Sequence, residues 1–278
     1  MKLTVLVDNN TLIDRYFYGE PGVSYYIEAD GLKVLFDLGY SDLFIRNAHK
    51  MSIDLFDLDY IVLSHGHLDH SWGLDPLLRM YTEATLEGFT TKRPKLVAHP
   101  KALLPKWNDE MPQSGSLIGA NVLSAFFELQ LNKEPQYLSE HLMFLGEIER
   151  TNDFEAQEPH GKMLENGIEK DDFLLDDSAL SYKASGGLVI VTGCFHSGIC
   201  NIVQQARKAC GERRILDIIG GFHLMDPRKE QLLGTLEYMQ ALNPEALHAC
   251  HCTDLNSKIA LSNVVDLKEV GVGLILEY

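Results

Sequence analysis

The chain has little of what would direct it to a membrane, to the cell exterior or to nucleic acid. Its 278 residues contain no apolar run approaching the ~18–20 residues that span a bilayer. The opening Met1-Lys2-Leu3-Thr4-Val5 runs straight into a strand rather than a signal-peptide pattern, so a cytoplasmic protein is expected. Cysteine is sparse and odd in number, with five residues, which argues against a disulfide framework. Basic residues are outnumbered, 24 Lys and Arg against 40 Asp and Glu, for a net charge of −16. Non-specific nucleic-acid binding depends on Lys and Arg neutralising phosphates, so no nucleic-acid partner is expected. No membrane partner is expected either.

What is present is an ample apolar fraction of 45%. That supports a sizeable core, and the length suits one large α/β layered domain over residues 1–278. Strands are expected at Leu3–Val7, Ser24–Glu28 and Lys33–Phe36, with Asp30-Gly31 as a hairpin turn between the last two. A helix is expected at Asp42–Lys50, a strand at Tyr60–Leu63, a helix opening at Gly73, and a strand at Lys95–Ala98. The region around 102–177 holds Pro105, Pro112, Pro135 and Pro159 and several charged runs. It reads as a loop-rich insertion over the substrate, with strands near Leu117–Leu123 and Met143–Leu145. Its acidic run from Glu165 to Asp177 reads as solvated surface. Three strand–helix units follow: Leu188–Thr192 with Ile199–Cys210, Ile215–Ile219 with Pro227–Leu242, and Ala246–Ala249 with Leu255–Leu267. Such units in series imply a sheet covered by helices. A last strand is expected at Val272–Leu276.

The most informative segment is Ser64-His65-Gly66-His67-Leu68-Asp69-His70, directly after the apolar Tyr60–Leu63. Imidazole and carboxylate suit zinc and neighbouring divalent metals. Burying so many ionisable groups without a partner would be costly, and a metal removes that cost. Alternate residues of an extended segment point the same way, so His65 and His67 can share one ion. Asp69 and His70 then face a second ion as the chain turns.

His65-x-His67-x-Asp69-His70 resembles the signature of the metallo-β-lactamase superfamily. Further segments resemble one subgroup of it: Leu3–Asn10, Leu35-Phe36-Asp37-Leu38-Gly39, Asn47-Ala48, Gly193–Ile199, Gly220–Leu224 and His251-Cys252-Thr253. That subgroup takes its name from 7,8-dihydropterin-6-methyl-4-(β-D-ribofuranosyl)aminobenzene-5′-phosphate synthase. The resemblance implies a four-layer αββα sandwich. It also implies two divalent metal ions, zinc first, with manganese or iron as alternatives.

Ligands in open α/β sheets collect beyond the carboxyl ends of strands, and His196, His223 and His251 each follow such an end. The expected assignment gives His65, His67 and His196 to one metal, and Asp69, His70 and His251 to the other. In a second register His223 is a ligand and His196 meets substrate. The superfamily usually adds a bridging Asp after a strand-Gly. Here that strand ends Gly193-Cys194, so Cys194 or a water would take its place. Asp69 and His223 are the candidate catalytic residues.

Asp37 either bonds a ligand imidazole or caps a turn. Asp8 and Asn9 can do similar supporting work. Arg150 reads as surface charge or a partner for a substrate anion, and Trp72 as a pocket wall or core anchor. Alternation at the strand end turns the Cys250 and Cys252 sulfurs away from His251. His99, His141, His160 and His248 have no patterned neighbours and read as structural.

The metal site and the resemblance together imply a hydrolase whose partner is a small-molecule substrate, an ester, lactone or phosphoester attacked by metal-activated water. A variant is a transferase acting at a phosphoribosyl centre, which would make the substrate a phosphorylated one. A redox protein and a non-catalytic metal-binding protein are the alternatives of another kind. His67 stands where diiron relatives carry Glu, which argues against the redox reading.

Overall fold

Strand residues alternate between two apolar surroundings, and this alternation builds the layers. In Gly187–Thr192, Leu188 and Ile190 join one buried cluster while Val189 and Val191 join another. In Lys95–Ala98, Leu96 and Ala98 face one side and Val97 the other. A strand buried on both faces belongs to a sheet covered twice. The computed structural model describes every residue, Met1–Tyr278.

The first sheet contains β1 (Lys2–Val7), β2 (Ser24–Ala29), β3 (Leu32–Phe36), β4 (Tyr60–Val62), β5 (Lys95–Ala98), β7 (Glu128–Leu131) and β16 (Ile275–Glu277). Its order is β16-β1-β2-β3-β4-β5-β7. The second has β8 (Gln136–Tyr137), β9 (Leu142–Phe144), β12 (Ala179–Ala184), β13 (Gly187–Thr192), β14 (Ile215–Gly221) and β15 (Ala246–Cys250), in the order β15-β14-β13-β12-β9-β8. A small third sheet pairs β6 (Lys106–Trp107), β10 (Lys162–Glu165) and β11 (Ile168–Asp171). The helices are α1 (Leu43–Lys50), α2 (Leu68–Ser71), α3 (Leu74–Leu86), α4 (Ala120–Phe126), α5 (Ile199–Cys210), α6 (Lys229–Leu242) and α7 (Leu255–Ser262).

Three apolar clusters define four layers. Phe44, Leu74, Leu77 and Leu123 from α1, α3 and α4 pack on Leu35, Ile61 and Leu96 of the first sheet. Ile202, Met239 and Leu261 from α5, α6 and α7 pack on Leu188, Ile218 and Leu247 of the second. Between the sheets lie Val5, Tyr25, Phe36 and Val62 from one side and Phe144, Val189, Val191 and Ile219 from the other. The fold is therefore the αββα sandwich expected. β3, β4 and β5 are parallel, as are β13, β14 and β15, so their carboxyl ends gather at one edge of each sheet. No helix is long and apolar enough to cross a membrane.

Several expectations change, most of them between residues 102 and 184. The stretch near Leu117–Leu123 is not a strand: α4 covers Ala120–Phe126 and buries Leu123 against the first sheet. A short apolar run does not distinguish a strand from a helix by period alone. The hairpin β10–β11 turns at Asn166-Gly167, both left-handed in φ as a two-residue turn requires. The acidic run is only partly solvated. β11 is exposed throughout, but Asp172, Asp176 and Asp177 are buried. Lys106, itself buried, holds the first two at 3.0 and 2.5 Å. The last helix unit ends early, at Ser262, and β12 is an additional strand antiparallel to β13.

Candidate metal centre and active site

The carboxyl ends of β4, β13, β14 and β15 deliver the candidate residues to one pocket. β4 ends at Val62, and the chain turns through Ser64–His67 into α2, which carries Asp69 and His70. β13 leads through Gly193-Cys194-Phe195 to His196, β14 leads to His223, and β15 to His251. Phe195, His223 and His251 all have left-handed φ, so each chain reverses sharply at the strand end. Such backbone is uncommon outside glycine and collects at functional sites.

The His65, His67 and His196 rings form a triangle with every centroid separation 4.8 Å. Their ligand atoms lie close enough for one ion. His70 and His251 lie beside them, with centroids 5.1 Å apart. Asp69 reaches both: Oδ2 is 3.3 Å from His251 Nε2, and Oδ1 is 3.8 Å from His70 Nε2. The six expected ligands thus form two adjoining groups, each with members from both sheets.

Supporting bonds set which ring nitrogen is free. Asp37, fully buried at the end of β3, accepts from Ser64 N, Ser64 Oγ and His70 Nδ1, each at 2.7 Å. A carboxylate only accepts, so Ser64 Oγ and His70 Nδ1 are the donors. Ser64 Oγ has then used its proton, and it accepts from His65 Nδ1 at 2.8 Å. One carboxylate therefore orients a histidine of each group and turns both Nε2 atoms into the pocket. His251 is held by Asn9 Oδ1, which accepts from Nδ1 at 2.9 Å, and by Asp8 Oδ1, which accepts from its backbone N–H at 3.0 Å.

Burial lowers His65, His67 and His196, with Lys106 adding to the effect on the first two and the surrounding imidazoles to that on His196; His67 falls to about 3. These rings are neutral and offer lone pairs. Burial also pushes His70 down, but Asp69 and Asp37 outweigh it and raise it to about 9. The two carboxylates thus attract positive charge at that point. Burial raises Asp69, yet His70 and His251 prevail and hold it below the ordinary carboxylate range.

Three findings depart from expectation. His160 is not merely structural: its ring lies 4.8 Å from that of His196 and 4.9 Å from that of His223. It comes from the loop-rich region and has no sequence motif, so only the fold reveals it. Cys252 faces the pocket, where its Sγ accepts from His223 N at 3.1 Å, while Cys250 stays in the core against Tyr25. The left-handed His251 between them breaks strand alternation. Arg150 neither lies free at the surface nor faces the pocket; it donates to the carbonyls of Ala156, Phe173 and Leu174. Trp72 takes the second of its two expected readings, an anchor that donates to Gly115 O and stacks on Tyr40. His99, His141 and His248 do bond carboxylates away from the pocket.

The pocket encloses about 350 Å³ between these groups and Asn9, Asn108, Met111 and Met225. A smaller cavity of about 210 Å³ adjoins it across His160, His196 and His223.

A family model described as "Metallo-beta-lactamase superfamily" matches residues 18–118, which include the whole His65–His70 motif. A solved metal-dependent hydrolase of the β-lactamase superfamily is 27% identical, with a TM-score of 0.82 over 100% of this chain and 99% of that one. The chain thus resembles the metallo-β-lactamase superfamily in sequence and in fold. It is also 28% identical to the 7,8-dihydropterin-6-methyl-4-(β-D-ribofuranosyl)-aminobenzene-5′-phosphate synthase of Methanocaldococcus jannaschii. That alignment covers 93% of this chain and 89% of the synthase. A metallo-β-lactamase fold protein from Bacillus subtilis, 13% identical, shares the fold with a TM-score of 0.60, covering 100% of this chain and 99% of its own.

Proposed function

We propose that the protein is a metal-dependent hydrolase of a small ester, lactone or phosphoester, with two divalent ions in its pocket. The observation that carries this reading is a set of buried ring nitrogens without partners. His65 Nε2, His70 Nε2 and both nitrogens of His196 make no hydrogen bond. Each such atom costs about 1–3 kcal/mol if left unpaired. Their convergence fits cation ligands, and an oxygen and nitrogen donor set suits zinc, with manganese or iron as alternatives.

His65, His67 and His196 would hold one ion, and Asp69, His70 and His251 the other. A bound divalent ion supplies Lewis-acid polarisation and makes water acidic enough to give a nucleophile near neutral pH. The chain's own groups do the rest. Asp69 lines the pocket beside both groups and would orient an attacking water by accepting its hydrogen bond. His223 lines both cavities and is placed to bond a substrate oxygen. The β13, β14 and β15 ends fix these positions relative to the β4 loop, so little reorganisation accompanies binding.

The likeness to the synthase along nearly the whole chain favours a second reading, a transferase acting on a phosphoribosyl substrate. Metal analysis combined with phosphodiester, lactone, thioester and phosphoribosyl substrates separates the two. Turnover of a hydrolysable class that is lost in His67→Ala, with the fold intact, supports the hydrolase. Metal-loaded protein inert on every hydrolysable class would overturn it.

A further inference from the structure

Two adjacent carboxylates that the metal-centre assignment does not use lie against the turns that carry its ligands. Asp176 and Asp177 are fully buried and lead into β12. β12 runs antiparallel to β13 with Ala179 opposite Thr192, so its start lies where β13 ends. That places the pair between a ligand turn of each sheet. Asp176 Oδ2 accepts from Gly66 N at 2.9 Å, in the turn between His65 and His67. Asp177 Oδ2 accepts at 2.7 Å from the N–H of Ser197, the residue after His196. Ser178 N adds a third tie, donating to Ser64 O at 2.9 Å. One tripeptide thus holds backbone on both sides of the His65, His67 and His196 triangle.

Both turns need such ties. A Cβ on Gly66 would stand 2.1 Å from Ala102 O, so the first turn is pressed against Ala102 on one side and bonded to Asp176 on another. In the second turn Phe195 and Gly198 flank His196-Ser197, and both have left-handed φ. Such backbone is costly for Phe and persists only where its surroundings hold it. Lys106 steadies Asp176 at 2.5 Å and Asp172 at 3.0 Å. Asp177 Oδ1 has no partner, so Ser197 N is what that carboxylate bonds. Burying a carboxylate for one such bond is costly, and the bond falls at a ligand turn. Neither carboxylate bonds an imidazole, and each reaches the ligands through the main chain.

We propose that Asp176 and Asp177 are positioning residues of the first metal position, a brace that fixes the spacing of the two turns carrying its three histidines. Asp176 sets the turn from the first sheet, and Asp177 sets the turn from the second. This rests on the metal-centre reading above. It gives the end of the loop-rich region a task at the metal centre, beyond covering the pocket. His70 and His251 are held instead by Asp37, Asn9 and Asp8, so the brace serves one position and not the other.

The test titrates the metal-depleted full chain with zinc against a chromophoric chelator. The binding step that disappears in His67→Ala reports the first position. In Asp177→Ala that step is expected to weaken about tenfold or more, while the other step keeps its affinity. Asp177→Asn keeps an oxygen for Ser197 N and is expected to bring the first step back close to the wild type. A role in fold stability alone would lower the urea midpoint of the metal-free chain and leave the first step where it was. Both steps unchanged in folded Asp177→Ala, or both weakened alike, would overturn the proposal. Asp177→Asn as weak as Asp177→Ala would overturn it too. Should Asp177→Ala not fold, Asp176→Ala reads the same step from the other turn. Selective weakening is expected there, and an unchanged first step would overturn the brace. A wild type that binds no zinc would overturn the metal-centre reading itself.

Discussion

Asp37→Asn changes one buried atom and is expected to weaken both metal positions at once. Asp37 touches no pocket atom, yet it fixes His70 directly and His65 through Ser64 Oγ. In the variant an amide NH₂ replaces Oδ2, and it can only donate. His70 Nδ1 must then accept, which moves its proton to Nε2, the atom that should face the ion. Ser64 Oγ likewise becomes an acceptor from the amide and donates to His65 Nδ1, which moves the second imidazole proton the same way. Losing such an outer partner typically weakens metal binding ~10–100-fold, or about 1.4–2.7 kcal/mol. Stability should change far less, because the Ser64 N bond to Oδ1 survives and the shape is kept. Asp37→Ala is the poorer probe. It leaves three buried donors unpaired, at a cost of about 3–9 kcal/mol, comparable to the ~5–15 kcal/mol total stability of a domain. Competition titration against a chromophoric chelator reads the affinities, and urea unfolding of the metal-free protein reads the stability. Unchanged affinity at both positions in folded Asp37→Asn would refute the reasoning.

Three further outcomes are expected. Lys106→Met should destabilise the fold by about 3–5 kcal/mol in urea unfolding, because Asp172 and Asp176 remain buried without their cation. His160→Gln should raise KM about tenfold or more while leaving bound metal per chain unchanged, since the ring borders the pocket beside His196 without belonging to the six-residue ligand set. Metal removal by a chelator should lower the midpoint of thermal unfolding, by the equivalent of ~2.7 kcal/mol when free metal had stood a hundredfold above its dissociation constant. An unmoved midpoint in scanning calorimetry would contradict the idea that the buried ring nitrogens need a cation.

The parts legible in the sequence are those whose signal is local. The His65–His70 cluster declares itself because its members are sequence neighbours behind a strand. β13, β14 and β15 are plain because each pairs a short apolar run with a following helix. Asp37 could be read as a support for an imidazole because it ends an apolar strand. The rest depended on tertiary contact or on a missed turn. Asn166-Gly167 carried a hairpin signal, but the charged flanks of β10 and β11 hid the strands. His160 has no patterned neighbour, and the fold alone brings it to His196. Cys252 was misplaced because a strict alternation was extended through His251, whose left-handed backbone turns the next side chain around.

Each candidate metal position takes ligands from both sheets. His65, His67, Asp69 and His70 ride on the first sheet, and His196 and His251 on the second. The gap between the half-sites is therefore set by the apolar layer that keeps the sheets apart. Val62 in β4 and Val191 in β13 belong to that layer, just behind the ligand-bearing turns. Such residues act as shims. A methylene added or removed there would adjust the spacing of the metal centre with every ligand left in place. The centre can thus be retuned by core residues that never touch a substrate.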